Sequence, residues 1–199
     1  MSVAPAALRR SLVAFIILLA AAAAVAGAAF FLFDPGPGAP APSTVGGPFT
    51  LTDQNGRKVT NKDFEGSPSL IFFGFTRCPD VCPTALAEIS SVFEKLGPDA
   101  KVNALFISGD PERDTPASLK DYLSSFDKRI VGLWGDPDTT RAVMKSYRAF
   151  AAKVPTKNGD YTMDHPAIVY LMDKQGRFVN AFNLDRPPEA AAKELARYL

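Results

Sequence analysis

The sequence predicts an α/β domain, and three observations carry that prediction. Apolar runs of strand length alternate with helical patterns from Ser69 to Phe150. Helix starts between them are marked by Thr115-Pro116 and Asp136-Pro137, each an N-cap residue followed by proline at the first helical position. The alternation then closes with two strands joined by a turn and a last helix.

Taken in order, Arg9 and Arg10 precede a stretch that runs uncharged and apolar from Ser11 to Phe33. At about 1.5 Å rise per residue such a run can span a bilayer core as a helix. A cleaved leader competes, since Ala24-Val25-Ala26 fits a cleavage site, but the apolar run continues through Phe30-Phe31-Leu32-Phe33. The expectation is therefore residues 1–10 cytoplasmic, a transmembrane anchor at 11–33, a flexible Pro/Gly/Ala linker at 34–48, and a folded domain at 49–199. This places the protein in the inner (cytoplasmic) membrane, single pass, with its domain in the periplasm. Phe49 to Thr60 reads as a small hairpin around Asn55-Gly56.

The core elements follow. Strands are expected near Ser69–Phe75, Val102–Ser108, Ile130–Leu133, Ala167–Met172 and Arg177–Phe182. Helices are expected near Thr84–Leu96, Pro116–Phe126, Pro137–Phe150 and Pro188–Tyr198. Asp114, Thr115 and Asp136 read as helix caps. Ala151 to Asp164, with Pro155 and Asn158-Gly159, has no clear period and reads as a long mobile loop. The net charge is +1 with no basic run, so nucleic-acid binding has no support.

Cys78 and Cys82 are the only cysteines, and His165 is the only histidine. Thiolates and imidazole are donors for copper or zinc. The cysteines sit at a strand-to-helix turn, where the helix dipole and Arg77 favour thiolate. A structural disulfide is the plain alternative, but so short a ring would add little stability. A lone histidine is ordinarily a surface or core residue; here it lies on a loop next to a strand whose end could reach the cysteines. Two sulfurs and one imidazole make a three-coordinate site suited to Cu(I) and, with a further ligand, to Cu(II), whereas structural zinc takes four ligands. Met163 reads as packing.

Phe73-Gly74-Phe75-Thr76-Arg77-Cys78-Pro79-Asp80-Val81-Cys82-Pro83 resembles the signature of the Sco/SenC family. Ser108-Gly109-Asp110-Pro111-Glu112-Arg113-Asp114-Thr115-Pro116 resembles its second motif, and Asp164-His165 before Ala167–Asp173 its third. The resemblance implies a thioredoxin-like fold, with a central mixed sheet flanked by helices, and a copper site of Cys78, Cys82 and His165. It also implies Asp164 as a group orienting or screening that site. Two positions depart from the pattern: Arg77 stands where many relatives have His, and Pro166 where a small hydroxyl residue is usual. The implied function is a copper chaperone delivering copper to, or preparing, the dinuclear copper centre of cytochrome c oxidase. Implied partners are the copper-bearing subunit of that enzyme, other copper chaperones or dithiol donors, and the membrane through the N-terminal helix. A metallochaperone is not an enzyme. The alternatives are a thiol–disulfide oxidoreductase using Cys78 and Cys82 as a redox-active dithiol, and a copper or redox sensor. A peroxide-reducing enzyme fits less well, because Thr76-Arg77-Cys78 lacks the wider Thr-x-x-Cys spacing.

Overall fold

The structure is a computed structural model, and it describes residues 15–23, 45–157 and 159–199. The chain divides into two compact units, Met1–Ala41 and Pro42–Leu199. In the first unit, residues 15–23 are helical. Among the described residues no helix is long and apolar enough to cross a membrane. The expected transmembrane helix over 11–33, and the single-pass location in the inner membrane that rested on it, are corrected accordingly. The expectations for residues 1–10, for the rest of 11–33 and for most of the 34–48 linker lie outside the described residues.

The second unit is an α/β thioredoxin-like fold. Strand β1 (Thr50–Asp53) and β2 (Lys58–Thr60) form the expected N-terminal hairpin, followed by β3 (Ser69–Gly74), helix α1 (Val81–Leu96) and β4 (Asn103–Ser108). Then come α2 (Pro116–Leu123), β5 (Ile130–Trp134), α3 (Pro137–Ser146), β6 (Ala152–Pro155) and β7 (Tyr161–Asp164). The chain closes with β8 (Val169–Met172), β9 (Phe178–Ala181) and α4 (Pro188–Leu195). Seven strands form one mixed sheet in the order β2-β1-β5-β4-β3-β8-β9.

Strand β3 is buried along its whole length, as expected of a central strand covered on both faces. Its side chains alternate. Leu70 and Phe72 join Leu86, Ile89, Phe93, Leu119 and Leu195 in a core under α1, α2 and α4. Ile71 and Phe73 join Leu51, Val143, Met144 and Tyr147 in a second core under α3.

Topology decides where the three sequence motifs meet. β3 and β4 run parallel, with Gly74 opposite Ser108, so the segments leaving both strands emerge at one edge. β8 runs antiparallel to β3, with Val169 opposite Phe72, so the chain enters β8 from that same edge. His165 lies just before this entry.

The expected long loop at Ala151–Asp164 is instead a two-stranded antiparallel hairpin of β6 and β7, with Ala152 opposite Asp164. β6 is exposed at every position, so it carries no apolar alternation by which a sequence would betray a strand.

Candidate metal centre

Helix α1 starts at Val81, three residues before the expected Thr84, and so takes Cys82 into its first turn. The Asp80 side chain makes no capping bond. The Cys78 Sγ does that work instead, accepting from the Cys82 amide at 3.3 Å. One of the amides left open at a helix start is thereby met by the sulfur. The motif is thus a helix cap as well as a donor pair.

Cys82 is fully buried, Cys78 is partly exposed, and both are free thiols. His165 Nε2 lies 3.6 Å from Cys82 Sγ. Its ring stands edge-on to Phe75, with centroids 5.6 Å apart, and tilted to Phe72 at 6.1 Å. Nδ1 faces the Pro166 carbonyl at 3.3 Å. A carbonyl can only accept, so a hydrogen bond here has Nδ1 as its donor, and that tautomer leaves the Nε2 lone pair for the sulfurs. The His165–Pro166 bond is trans, since the described residues contain no cis peptide.

Among the described residues, Cys78, Cys82 and His165 form a group whose donor atoms all lie within 4.8 Å of one another. Two sulfurs at about 2.3 Å and a nitrogen at about 2.0 Å around one ion, in a trigonal plane, stand roughly 3.7–4.0 Å apart. The Cys82–His165 separation already matches. A contraction of about 1 Å would bring in the remaining donor, the partly exposed Cys78. The donor set therefore fits a small, soft ion.

Electrostatics correct one expectation. Burial pushes the Cys82 thiol well above its ordinary range, against the pull of the Phe75 amide, and neighbouring Cys78 and Asp114 push it further up. Desolvation outweighs the helix dipole at Cys82 and favours its thiol form, whereas a place at a helix start by itself favours thiolate.

Asp114 is a second correction. Thr115 and Asp136 cap α2 and α3 as expected, accepting from Ser118 and from Asp138 and Thr139. Asp114 is instead 1% exposed. It accepts from Thr76 Oγ1 at 2.6 Å, from Ser108 Oγ at 2.6 Å and from the Thr76 amide at 3.3 Å. It ties the cysteine loop to the end of β4. Gly109 N reinforces that tie by donating to Gly74 O at 2.7 Å.

Of the other expected residues, Met163 packs against the α1-side core. Arg77 is exposed. Asp164 is exposed at the end of β7, next to His165 in the chain. Two further residues belong to the site. A Cβ at Gly74 would stand 2.9 Å from Cys82 Sγ and 2.5 Å from Phe106 Cε2, so the sulfur occupies space that only glycine leaves open. A glycine inside an apolar strand signals such a close approach. Tyr122 stacks on Phe106 with centroids 5.8 Å apart, and its hydroxyl is buried without a hydrogen-bond partner among the described residues. Burial raises its pKa, with Cys82, Cys78 and Asp114 adding to the effect.

The SCO1/SenC family matches residues 37–199. Over 78% of this chain and 99% of its own, the structure of Bradyrhizobium japonicum ScoI with copper bound is 65% identical, with a TM-score of 0.75. Yeast Sco1, also solved with copper bound, is 38% identical over 78% of this chain and 88% of its own, with a TM-score of 0.72. Protein SCO1 homolog 1 of Arabidopsis thaliana is 34% identical over 162 residues, and protein sco1 of Schizosaccharomyces pombe 37% over 159. These matches cover 78% and 77% of this chain but only 48% and 60% of those two relatives. The chain belongs to the SCO1/SenC family.

Proposed function

We propose that this SCO1/SenC family chain is a copper chaperone that holds one copper ion through Cys78, Cys82 and His165. In this reading it delivers the ion to, or prepares, the dinuclear copper centre of cytochrome c oxidase. The observation that carries the copper reading is the donor group itself: two sulfurs and one imidazole nitrogen within 4.8 Å, brought together from distant parts of the chain. Two thiolates suit Cu(I), and the imidazole extends the set to Cu(II). The copper-bound relatives support the same ion. The recipient would be the copper-bearing subunit of the oxidase, with other copper chaperones or dithiol donors supplying metal or electrons; both follow from the family resemblance. Asp164, exposed beside His165, would act on the bound ion through solvent as a nearby negative charge.

The second reading, a thiol–disulfide oxidoreductase, is favoured by one feature. Cys78 is accessible while Cys82 lies buried directly behind it. In such a pair the outer thiolate attacks a partner's disulfide and forms a mixed disulfide. The inner one then attacks Cys78, releasing the reduced partner and leaving a Cys78–Cys82 disulfide. That bond would remove both sulfur donors, so copper loading and oxidation exclude each other. Anaerobic titration of the reduced chain with Cu(I), set beside its disulfide reduction potential, tests both readings. Stoichiometric Cu(I) binding lost on Cys78→Ser or Cys82→Ser supports the chaperone. Stoichiometric copper retained by the oxidised chain at these residues refutes the exclusion.

A further inference from the structure

The hairpin that carries His165 has little apolar attachment: β6 is exposed throughout, and of β7 only Met163 reaches the main core. Its attachment is polar and goes to the second motif. Arg113 Nε donates to Asp110 Oδ2 at 2.5 Å. Arg113 Nη1 donates to the Tyr161 carbonyl at 2.7 Å and to Asp160 Oδ1 at 3.1 Å. The guanidinium lies 3.6 Å from the centre of the Tyr161 ring. The Tyr161 hydroxyl returns to Asp110 Oδ1 at 3.0 Å and closes the circuit. Asp110 is 1% exposed and the Arg113 side chain 12%, so the bonds joining Asp110, Arg113 and Tyr161 are shielded from water, while the Asp160 contact lies at the surface. A second tie joins Lys153 of β6 to Glu112. Trp134 Nε1 fixes the motif itself to β5, donating to Pro111 O at 3.2 Å.

We infer that Arg113 and Tyr161 are positioning residues for the His165 imidazole, so that one short segment, Asp110–Asp114, sets the spacing between nitrogen and sulfurs. Its Asp114 holds Thr76, two residues before Cys78. Its Arg113 holds Tyr161, four residues before His165. From Tyr161 to His165 is an extended lever of about 13 Å. A shift at its root is therefore delivered to the imidazole. The two arms differ in consequence. The Asp114 arm serves the sulfurs and hence both oxidation states. The Arg113 arm serves the imidazole, which Cu(II) needs and a dithiolate-bound Cu(I) does not.

This rests on the copper reading above, and the experiment separates the two. Arg113→Ala, His165→Ala, the double variant and Arg141→Ala are compared in the full chain. Arg141 pairs with Asp138 at the surface and controls for lost charge. Arg113→Ala is expected to weaken Cu(II) about 10–100-fold and change its visible and EPR spectra, as loss of a group supporting a ligand does. Cu(I) affinity should stay within about threefold, because its two thiolates are untouched. The double variant should match His165→Ala alone, since a residue acting through His165 adds nothing once that side chain is gone. In the metal-free chain, Arg113→Ala should shift the ring resonances of the only histidine, and Arg141→Ala should not. An unchanged Cu(II) spectrum and affinity in Arg113→Ala, additive losses in the double variant, or equal losses for both oxidation states overturn the inference. Wild-type protein that binds no copper overturns the copper reading instead, and the metal-free ring resonances then decide the positioning role alone.

Discussion

Replacing Gly74 by Ala should damage the donor group from behind. The added methyl would stand 2.9 Å from Cys82 Sγ and 2.5 Å from Phe106 Cε2. Ordinary contacts need roughly 3.5–4.0 Å, so the sulfur must retreat by about 0.6–1.1 Å and the phenyl ring by about 1.0–1.5 Å, or the strand must shift away from both. Neither has room, since both side chains are fully buried. Overpacking of this kind costs about 1–3 kcal/mol. For a unit of this size that lowers Tm by roughly 2–12 °C. The site is less forgiving than the fold, because ligand distances tolerate about 0.2 Å. Cu(II) affinity should fall tenfold or more, about 1.4 kcal/mol, with a changed absorption spectrum. Thermal unfolding of the metal-free protein and competitive copper titration measure the two effects. A variant with wild-type Tm, copper spectrum and affinity would refute the steric reasoning, because it would show that Gly74 leaves space the sulfur does not need.

Four further outcomes follow from the same contacts. Asp114→Ala should cost about 2 kcal/mol or more by stranding the Thr76 and Ser108 hydroxyls, read by denaturant unfolding, and a loss under about 0.5 kcal/mol would contradict its role as a tie. Tyr122→Phe should be neutral or stabilising by up to about 1 kcal/mol, because it deletes a buried hydroxyl with no partner; a loss above about 2 kcal/mol would reveal a hydrogen bond. The raised thiol of Cys82 favours the protonated form at neutral pH, so copper must displace that proton, and this proton alone should make apparent affinity climb about tenfold per pH unit between about pH 6 and 8. A flat profile in competition titrations would mean that Cys82 is already a thiolate. Iodoacetamide should modify Cys78 well before Cys82, and peptide mass mapping showing equal rates would contradict the burial difference.

The donors were legible because they are so few: two cysteines four apart and one histidine stand out in any reading. The strand–helix order was legible because β3, β4 and β8 are apolar runs, and Thr115-Pro116 and Asp136-Pro137 carry their own start signals. What sequence concealed was direction and depth. An apolar run at 167–172 does not say that β8 lies antiparallel to β3, yet that pairing is what returns His165 to the cysteines. Asp114 precedes Thr-Pro and so resembles a cap; only tertiary structure buries it against Thr76. The β6–β7 hairpin is held by Arg113 and Tyr161 and not by an apolar face, so periodicity passes over it. The early start of α1 depends on a sulfur serving as the cap, which residue preferences do not anticipate. The apolar run at 11–33 is long enough to suggest a span, but among the described residues no helix is long and apolar enough to cross a membrane.

Cys82 and His165 are 83 residues apart in the chain and face each other across 3.6 Å. An ion held by both would close a loop containing nearly all of α1, then β4, α2, β5, α3 and the hairpin: two of the sheet's seven strands and three of the four α-helices that cover it. Cross-linking a loop of that length restricts an unfolded chain by about 4–5 kcal/mol in the entropic treatment used for disulfides. Cargo would then double as a clasp. Loaded molecules would resist heat and proteases that open empty ones, and handing the ion to a partner would return the carrier to its looser, shorter-lived form. Survival under mild proteolysis would consequently report how much of a population is loaded.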